Sequence, residues 1–139
     1  MQQLSYASLK IGDALPPLDM PALSRTTLAL YAGASGDHNP VHIDIDFARK
    51  AGMADVFAQG MLSAAYLGRL LTRWVPQQNI RSLGMRFVGI THLHNAVRCT
   101  GRVAEKFEAD GEQRVRLEIT STNQYGETKI AGEAVVALE

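Results

Sequence analysis

The spacing of apolar and polar residues changes character about halfway along the chain. In the second half, Val115, Leu117 and Ile119 alternate with charged and polar residues, which predicts a strand with one buried face. Further strands are predicted over residues 83–88, about 96–106 and 128–138. Short turn sequences containing glycine separate the later strands. We therefore expect an antiparallel meander of four strands.

The first half has the spacing of helices and loops instead. Ser24 is placed to cap a short helix that runs through Tyr31. Gly33 and Gly36 follow, and we expect these glycines to stop it. The chain then enters a segment rich in polar residues before the next helix signal.

Two more helices are predicted before the strands. Asp44 or Asp46 is placed to begin a short one, with Gly52 as its stop. The longest helix is predicted over residues 61–74, where apolar and small residues cover most of the surface. Helices followed by strands predict an α+β domain in which one helix lies on a curved sheet. Open strand edges are usually covered by pairing, so we expect a dimer.

Composition limits the classes of function. A chain of 139 residues is expected to form one domain, residues 1–139. Fourteen basic residues balance fourteen acidic ones, which argues against nucleic acid or an anionic membrane as partner. The single cysteine, Cys99, precludes an internal disulfide and fits a reducing compartment. With no signal-peptide pattern and no apolar run long enough for membrane insertion, the expected location is cytoplasmic.

The loop over residues 31–44 carries the candidate chemistry. Asp37 and His42 lie five residues apart, Pro40 between them restricts the backbone, and Gly33 and Gly36 allow the chain to turn ahead of them. A carboxylate can orient water or accept a proton, and an imidazole can relay a proton near neutral pH. Asn39 can tie the loop together by hydrogen bonds, as Asx residues do in turns. The pair is a compact way to hold one water molecule.

A third group follows downstream, where Gln59 and Gly60 precede the long helix. Backbone N–H groups at a helix N-terminus have no intrahelical partner and attract an anion. Glycine has no side chain, so a ligand can approach that amide closely. A base, an imidazole and an anion-binding amide are the groups that water addition to an α,β-unsaturated thioester requires.

A metal site is the competing chemistry for the histidines. His38 and His42 have the i, i+4 spacing of two ligands on a helix, but Pro40 between them disfavours that helix. His92 and His94 alternate, which would place both on one face of a strand, without an acidic or cysteine partner nearby. We therefore predict no metal site.

Each candidate also has a purely structural interpretation. Asp37 can serve as the cap of a turn, and His42 can be a hydrogen-bonded, partly buried side chain. Gly60 can simply let the helix approach the core, and Cys99 is expected to be a small buried residue. From composition alone, these interpretations are more common than catalysis.

The motif as a whole resembles the signature of the MaoC-like hydratases, which include the (R)-specific enoyl-CoA hydratases and the (3R)-hydroxyacyl-ACP dehydratase subunits. The resemblance rests on Tyr31-Ala-x-x-Ser-Gly-Asp-x-Asn-Pro-x-His42-x-Asp44, followed by Ala58-Gln59-Gly60-Met61-Leu62. It implies a hotdog fold, in which a bent antiparallel sheet wraps a long central helix, and a dimer with a continuous sheet. It also implies that Asp37 and His42 are the catalytic pair, that Gly60 supplies the oxyanion-binding amide and that Asn39 supports the loop.

The chain departs from the family pattern in three ways. Gln59, expected in the wall of the site, stands where many relatives have His, and an amide cannot titrate. Residues 88–95 lack the Pro and the Gly-Asp pair that the family usually has there. The chain also holds one copy of the fold, so it is expected to form a homodimer or higher homo-oligomer, or a heterodimer with a partner subunit.

The resemblance implies a hydratase or dehydratase that acts on an enoyl-CoA or enoyl-ACP thioester and needs no cofactor. Two alternatives stay open at this point. One is a hotdog thioesterase, which would hydrolyse the thioester and release a free thiol. The other is a non-catalytic hotdog subunit that binds acyl chains for a catalytic partner.

Overall fold

The first helix begins and ends at the residues that cap it. In the computed structural model, which describes residues 4–139, α1 spans Arg25–Ser35, and Ser24 Oγ accepts the N–H of Thr27. Gly36 ends the helix in the left-handed region at φ 78°, which glycine adopts at little cost. Gly33 lies within α1, so the expectation that both glycines stop the helix was wrong for Gly33.

A single 3-10 turn and a short helix follow. Pro40–His42 form the turn, and α2 spans Ile45–Lys50. Asp44 is the N-cap of α2, since its carboxylate accepts the N–H groups of Asp46 and Phe47. Of the two candidate starts, Asp44 is therefore the cap, and the polar segment from Gly36 to Asp44 joins two capped helices.

The long helix α3 spans Gly60–Thr72, beginning one residue earlier and ending two residues earlier than expected. Most of its surface is buried, as the apolar composition predicted. Leu67 and Leu71 are fully buried in the same core cluster as Leu117 and Ile119 of the sheet. Burial of such side chains is worth about 1.5–3 kcal/mol each, so α3 is held by packing more than by its ends.

Five antiparallel strands form one sheet in the order β1-β3-β4-β5-β2. Their bounds are β1 Leu18–Asp19, β2 Ile80–Phe87, β3 Arg98–Ala109, β4 Glu112–Thr122 and β5 Thr128–Leu138. The expected four-strand meander was wrong, because only β3, β4 and β5 follow one another and β2 pairs with β5. The connection from β2 to β3 is too long for a tight hairpin, and it packs beside the start of α3, where Thr91 accepts the N–H of Ala58.

The sheet bends around α3 at identifiable positions. Register shifts interrupt three of the strand pairs, and such bulges bend and twist a strand. Gly101 and Gly132 flank Ile119 in one row of the register, on the face that packs against the core. A Cβ at Gly132 would collide with the carbonyl oxygen of Gly84, so this close approach of β2 and β5 requires glycine.

Ion pairs cover the opposite face and the strand ends. Arg116 bonds Glu105 at 3.1 Å and Glu133 at 3.2 Å. Arg81 bonds Glu112 at 2.7 Å, and its hydrogen bond, followed by that of Arg114, lowers the pKa of the Glu112 carboxyl to about 2. These charged side chains keep the face of the sheet opposite the core in contact with solvent.

Cys99 is fully buried in the core, as expected for a small apolar residue. Burial, with a smaller contribution from Asp19, raises the pKa of its thiol to about 12. In the described part of the chain, no helix is both long and apolar enough to cross a bilayer.

Candidate active site

The loop after α1 is held by side chains that accept hydrogen bonds from the backbone two residues later. Ser35 Oγ accepts the N–H of Asp37 at 3.1 Å, and Asp37 Oδ1 accepts that of Asn39 at 3.3 Å. Asn39 Oδ1 in turn accepts the N–H of Val41 at 3.1 Å. One carboxylate oxygen of Asp37 thus fixes the loop, and the other, Oδ2, faces His42.

His42 is held in one orientation by the chain ahead of α3. Its Nδ1 lies 2.8 Å from the carbonyl oxygen of Phe57, and the ring meets the Phe57 ring edge-on at 5.0 Å between centroids. A carbonyl only accepts hydrogen bonds, so Nδ1 carries the proton and Nε2 of the neutral ring is a free base. Nε2 lies 3.8 Å from Asp37 Oδ2. His42 is 8% exposed, whereas the Asp37 side chain is 44% exposed.

Gly60 lines the same small cavity as His42. It is the first residue of α3, and its N–H has no acceptor within residues 4–139. A cavity of about 160 Å³ is lined by both His42 and Gly60. A Cβ at position 60 would lie 3.3 Å from Cε1 of Phe87, so glycine keeps the cavity open at this amide.

Gln59 lies behind the cavity wall and does not line it. The side chain is fully buried, and its Nε2 donates to the carbonyl oxygen of Leu28 in α1 at 3.0 Å. Its Oε1 has no hydrogen-bond partner among residues 4–139. Gln59 therefore ties the start of α3, with Gly60, to the helix that leads into Asp37.

The remaining histidines form no metal cluster. In residues 4–139, no group of three or more His, Cys, Asp and Glu side chains is placed to share a metal ion. The expectation that His92 and His94 share a strand face was wrong, because both lie in the loop between β2 and β3. Asn95 Oδ1 accepts the N–H of His92, and His94 adopts a left-handed φ of 69°, so the chain turns here.

Several residues that line or orient the site had no signal in the sequence. Phe57 acts through its carbonyl, which any residue type would supply. Ser63, Phe87 and Thr91 come from α3, β2 and the loop after β2, and only the fold brings them to the cavity. Phe57 directly precedes the Ala58-Gln59-Gly60 part of the motif, which is the one hint that it is near.

The arrangement combines an imidazole that lines the cavity, a carboxylate 3.8 Å from that imidazole, and an amide at the same cavity that has no acceptor within residues 4–139. An oxygen placed about 2.8 Å from both Asp37 Oδ2 and His42 Nε2 fits between them, because these atoms are 3.8 Å apart. The Gly60 N–H can stabilise negative charge that develops on a carbonyl oxygen. These are the parts needed to add water to, or remove it from, an acyl thioester.

Comparison with known proteins identifies the family. Residues 10–125 match the family model described as the MaoC like domain. The chain therefore belongs to the MaoC-like dehydratase family, and the resemblance seen in the motif is confirmed.

Two curated relatives illustrate the range of the family. The (R)-specific enoyl-CoA hydratase of Rhodospirillum rubrum is 31% identical over 121 residues, which cover 82% of this chain and 78% of the relative. The fatty acid synthase beta subunit TOXC of Cochliobolus carbonum is 36% identical over 112 residues. That match covers 76% of this chain but only 5% of the fungal protein, so the chain corresponds to a small part of it.

Among solved structures, the unliganded R-hydratase PhaJ1 from Pseudomonas aeruginosa superposes with a TM-score of 0.84 at 29% sequence identity. The match covers 97% of this chain and 86% of PhaJ1. The curled five-stranded sheet around α3 is thus the hotdog fold of the R-hydratases, as the motif implied.

Proposed function

We propose that this protein adds water to trans-2-enoyl thioesters to give (3R)-hydroxyacyl thioesters, or catalyses the reverse dehydration. The observation that carries the proposal is the placement of His42 Nε2 and Asp37 Oδ2, 3.8 Å apart, with the Gly60 amide at the same cavity. The family and the names of its relatives support this class of reaction. The enzyme is then a hydro-lyase with Asp37 and His42 as its catalytic pair.

In the proposed hydration, one water molecule donates one hydrogen bond to Asp37 Oδ2 and a second to His42 Nε2. Both hydrogens are then occupied, so an oxygen lone pair is directed away from the pair toward the substrate. The oxygen forms a bond to the β-carbon, and the pair accepts one of the two protons. The pair then returns that proton to the α-carbon, so the sum of the steps is the addition of one H2O across the double bond.

Negative charge passes to the thioester oxygen between these two proton transfers. As the oxygen–carbon bond forms, the electrons of the double bond move toward the thioester carbonyl and give an enolate. The Gly60 N–H, with the dipole of α3 behind it, is the proposed donor to that oxygen. Asn39 contributes indirectly, because it holds the loop that places Asp37 and His42.

We also propose that the chain acts as a homodimer joined through the outer edges of β2. This strand lies at the end of the sheet, and apolar residues at its end are exposed, with Phe87 at 54% and Val88 at 55%. Light scattering is expected to give twice the 15.1 kDa mass of one chain. Val88→Glu is expected to shift the protein toward monomers. A wild-type monomer would favour a heterodimer with a different subunit.

The buried, unpaired Cys99 supports a reducing compartment such as the cytoplasm.

The deciding experiment incubates the purified protein with crotonyl-CoA and with longer enoyl-CoA thioesters. Loss of the enoyl absorbance, formation of the (3R)-hydroxyacyl product by chiral chromatography, and free thiol are measured together. The expected result is (3R) product without free thiol. Free thiol in proportion to the substrate consumed would identify a thioesterase. Binding of acyl-CoA without turnover would identify a non-catalytic subunit. Enoyl-ACP substrates, tested in parallel, decide the carrier.

A further inference from the structure

Gln59 is a buried polar residue that the proposed chemistry does not use. Its side chain is fully buried, so a second copy of the chain does not reach it. Its Nε2 donates to the carbonyl oxygen of Leu28 at 3.0 Å, whereas its Oε1 has no hydrogen-bond partner among residues 4–139. A buried oxygen that accepts no hydrogen bond lowers the stability of the fold. Its presence at this position therefore calls for an explanation.

The position also lacks stabilisation that other residue types would give. Gln59 is the N-cap of α3, but its side chain makes no capping hydrogen bond. A serine, aspartate or asparagine at an N-cap usually accepts an N–H of the first helical turn and so stabilises the helix. Leu28 does not depend on Gln59 either, because its carbonyl faces the N–H of Ala32 within α1. Stability thus does not account for glutamine here, and such exceptions are typical of functional positions.

The hydrogen bond from Gln59 holds the chain ahead of α3 against α1. Asp55, earlier in the same segment, bonds Arg25 at the start of α1 through both carboxylate oxygens. Between these two attachments, the Phe57 carbonyl accepts the Nδ1–H of His42. The pair of Asp55 and Arg25 is partly exposed and contributes little, whereas the Gln59 bond is buried. Gln59 is therefore the stronger of the two attachments.

We propose that Gln59 is a positioning residue for the hydration reaction, which orients the Gly60 N–H toward the thioester oxygen on which negative charge develops. The proposal rests on the proposed function for that charge and for the role of Gly60. The Gly60 N–H belongs to the peptide group that joins it to Gln59, and the carbonyl of the same group accepts the N–H of Leu62 at 3.1 Å. A rotation at Gln59 would thus turn the N–H. Because the charge develops only in the transition state, a misdirected N–H lowers kcat and leaves KM nearly unchanged.

The test compares two variants of nearly equal length in the hydration of crotonyl-CoA. Gln59→Met removes the donor to Leu28 and is expected to lower kcat about tenfold, with KM within about twofold of wild type. It should unfold at or above the wild-type temperature, because the unpaired oxygen is also removed. Gln59→Glu, whose buried carboxyl stays neutral and donates to Leu28, is expected to keep kcat within about threefold of wild type at pH 6.

Asn79→Leu is the matched control for the loss of a hydrogen bond elsewhere in the fold. Asn79 Nδ2 donates to the carbonyl oxygen of Ala137 at 3.0 Å, also from a side-chain amide to the backbone. This variant is expected to lower the unfolding temperature and leave kcat unchanged, the reverse of Gln59→Met. Wild-type kcat in Gln59→Met would overturn the proposal. So would a loss of kcat in Gln59→Glu or in Asn79→Leu as large as that in Gln59→Met.

Nitrogen-15 NMR of the His42 ring reports the position of the segment without any turnover. Gln59→Met is expected to shift the Nδ1 resonance, because the Phe57 carbonyl that accepts this N–H lies two residues before position 59. Asn79→Leu should leave the resonance in place. A shift in a protein that does not hydrate crotonyl-CoA would refute the proposed function and leave the attachment by Gln59 standing. Hydration by wild-type protein, with kcat and the resonance both unchanged in Gln59→Met, would do the opposite.

Discussion

The Nδ1–H of His42 donates to the carbonyl oxygen of Phe57 at 2.8 Å, and this bond decides which ring nitrogen faces Asp37. Phe57 precedes Gly60 by three residues. The segment that fixes the imidazole therefore also leads into α3, whose first residue, Gly60, lines the same cavity as His42. The backbone of residues 57–60 therefore positions both the His42 imidazole and the Gly60 N–H, so a shift of this segment would move both groups.

Asp37→Asn and His42→Asn are each expected to lower kcat/KM for crotonyl-CoA by about 10²- to 10⁴-fold, the usual contribution of a general acid–base group. The amide oxygen introduced at position 37 can still accept the loop N–H, and the amide introduced at position 42 can still donate to Phe57. Both variants should therefore unfold close to the wild-type temperature. His42→Ala removes the donor to Phe57 as well and should lose both activity and stability. Retained turnover in the two amide variants would contradict the catalytic assignment.

Gly60→Ala is expected to reduce hydration about tenfold or more, because the added methyl group crowds Phe87 and the amide of the oxyanion site. Gly68→Ala is the matched control, since it lies in the same helix with no atom within 4 Å of the added methyl group. It should raise the free energy of unfolding by about 0.5–1 kcal/mol and leave activity intact. Equal activity in the two variants would remove Gly60 from the proposed site.

Gln59→Glu is expected to make stability depend on pH. The fully buried carboxyl would stay neutral in the folded protein, so its pKa would lie above that of an ordinary Glu. Below about pH 4.3 the neutral group can still donate to Leu28, and stability should be near wild type. Above that pH the free energy of unfolding should fall by up to about 1.4 kcal/mol per pH unit until the folded-state pKa is reached. Gln59→Leu, which does not ionise, should lack this slope in urea titrations.

Cys99 is expected to resist thiol reagents while the protein is folded. Its pKa of about 12 keeps the thiol protonated, and burial blocks access. Because the folded-state pKa lies above the unfolded value of 9.0, stability should decline as the pH rises from about 9 to about 12. Cys99→Ser should lose that decline. Reaction with a colorimetric disulfide reagent at pH 8, with and without denaturant, measures the protection directly, and rapid labelling without denaturant would contradict it.

Glu112 is expected to contribute to acid sensitivity. Its pKa of about 2 lies below the unfolded value of 4.5, so its stabilising effect is complete above pH 4.5 and is lost as the pH falls toward 2. Glu112→Gln should therefore be less stable than wild type at pH 6, with the difference shrinking at pH 4 and pH 3. Denaturant titrations at these three values measure it, and a constant difference would show that the carboxylate does not act through its ion pair with Arg81.

The sequence predicted the elements that depend on local chemistry. Ser24 and Asp44 cap their helices by side-chain hydrogen bonds, which a few neighbouring residues determine. β5 spans the predicted residues, and Val115, Leu117 and Ile119 of β4 are buried as their alternation required. The candidate residues Asp37, Asn39 and His42 were visible for the same reason, since they share one short loop.

Non-local features were not accessible in the same way. The pairing of β2 with β5 joins strands about fifty residues apart along the chain, and strand periodicity does not name a partner. The two-residue β1 is too short to have a period. The hydrogen bond between the buried side chains of Ser63 and Thr91 exists only because α3 and the loop after β2 pack together.

The alternating acceptors of the catalytic loop limit how this segment can change in evolution. Ser35, Asp37 and Asn39 each hold the N–H two residues ahead, so the distance along the chain from Asp37 to His42 is set by a series of interlocking steps. The exposed side chain of His38 takes part in none of them, and that position is free to vary in residue type. A single insertion or deletion would shift every later acceptor away from its donor. Loop length, more than any one side chain, is therefore the property that descendants of this enzyme must inherit unchanged.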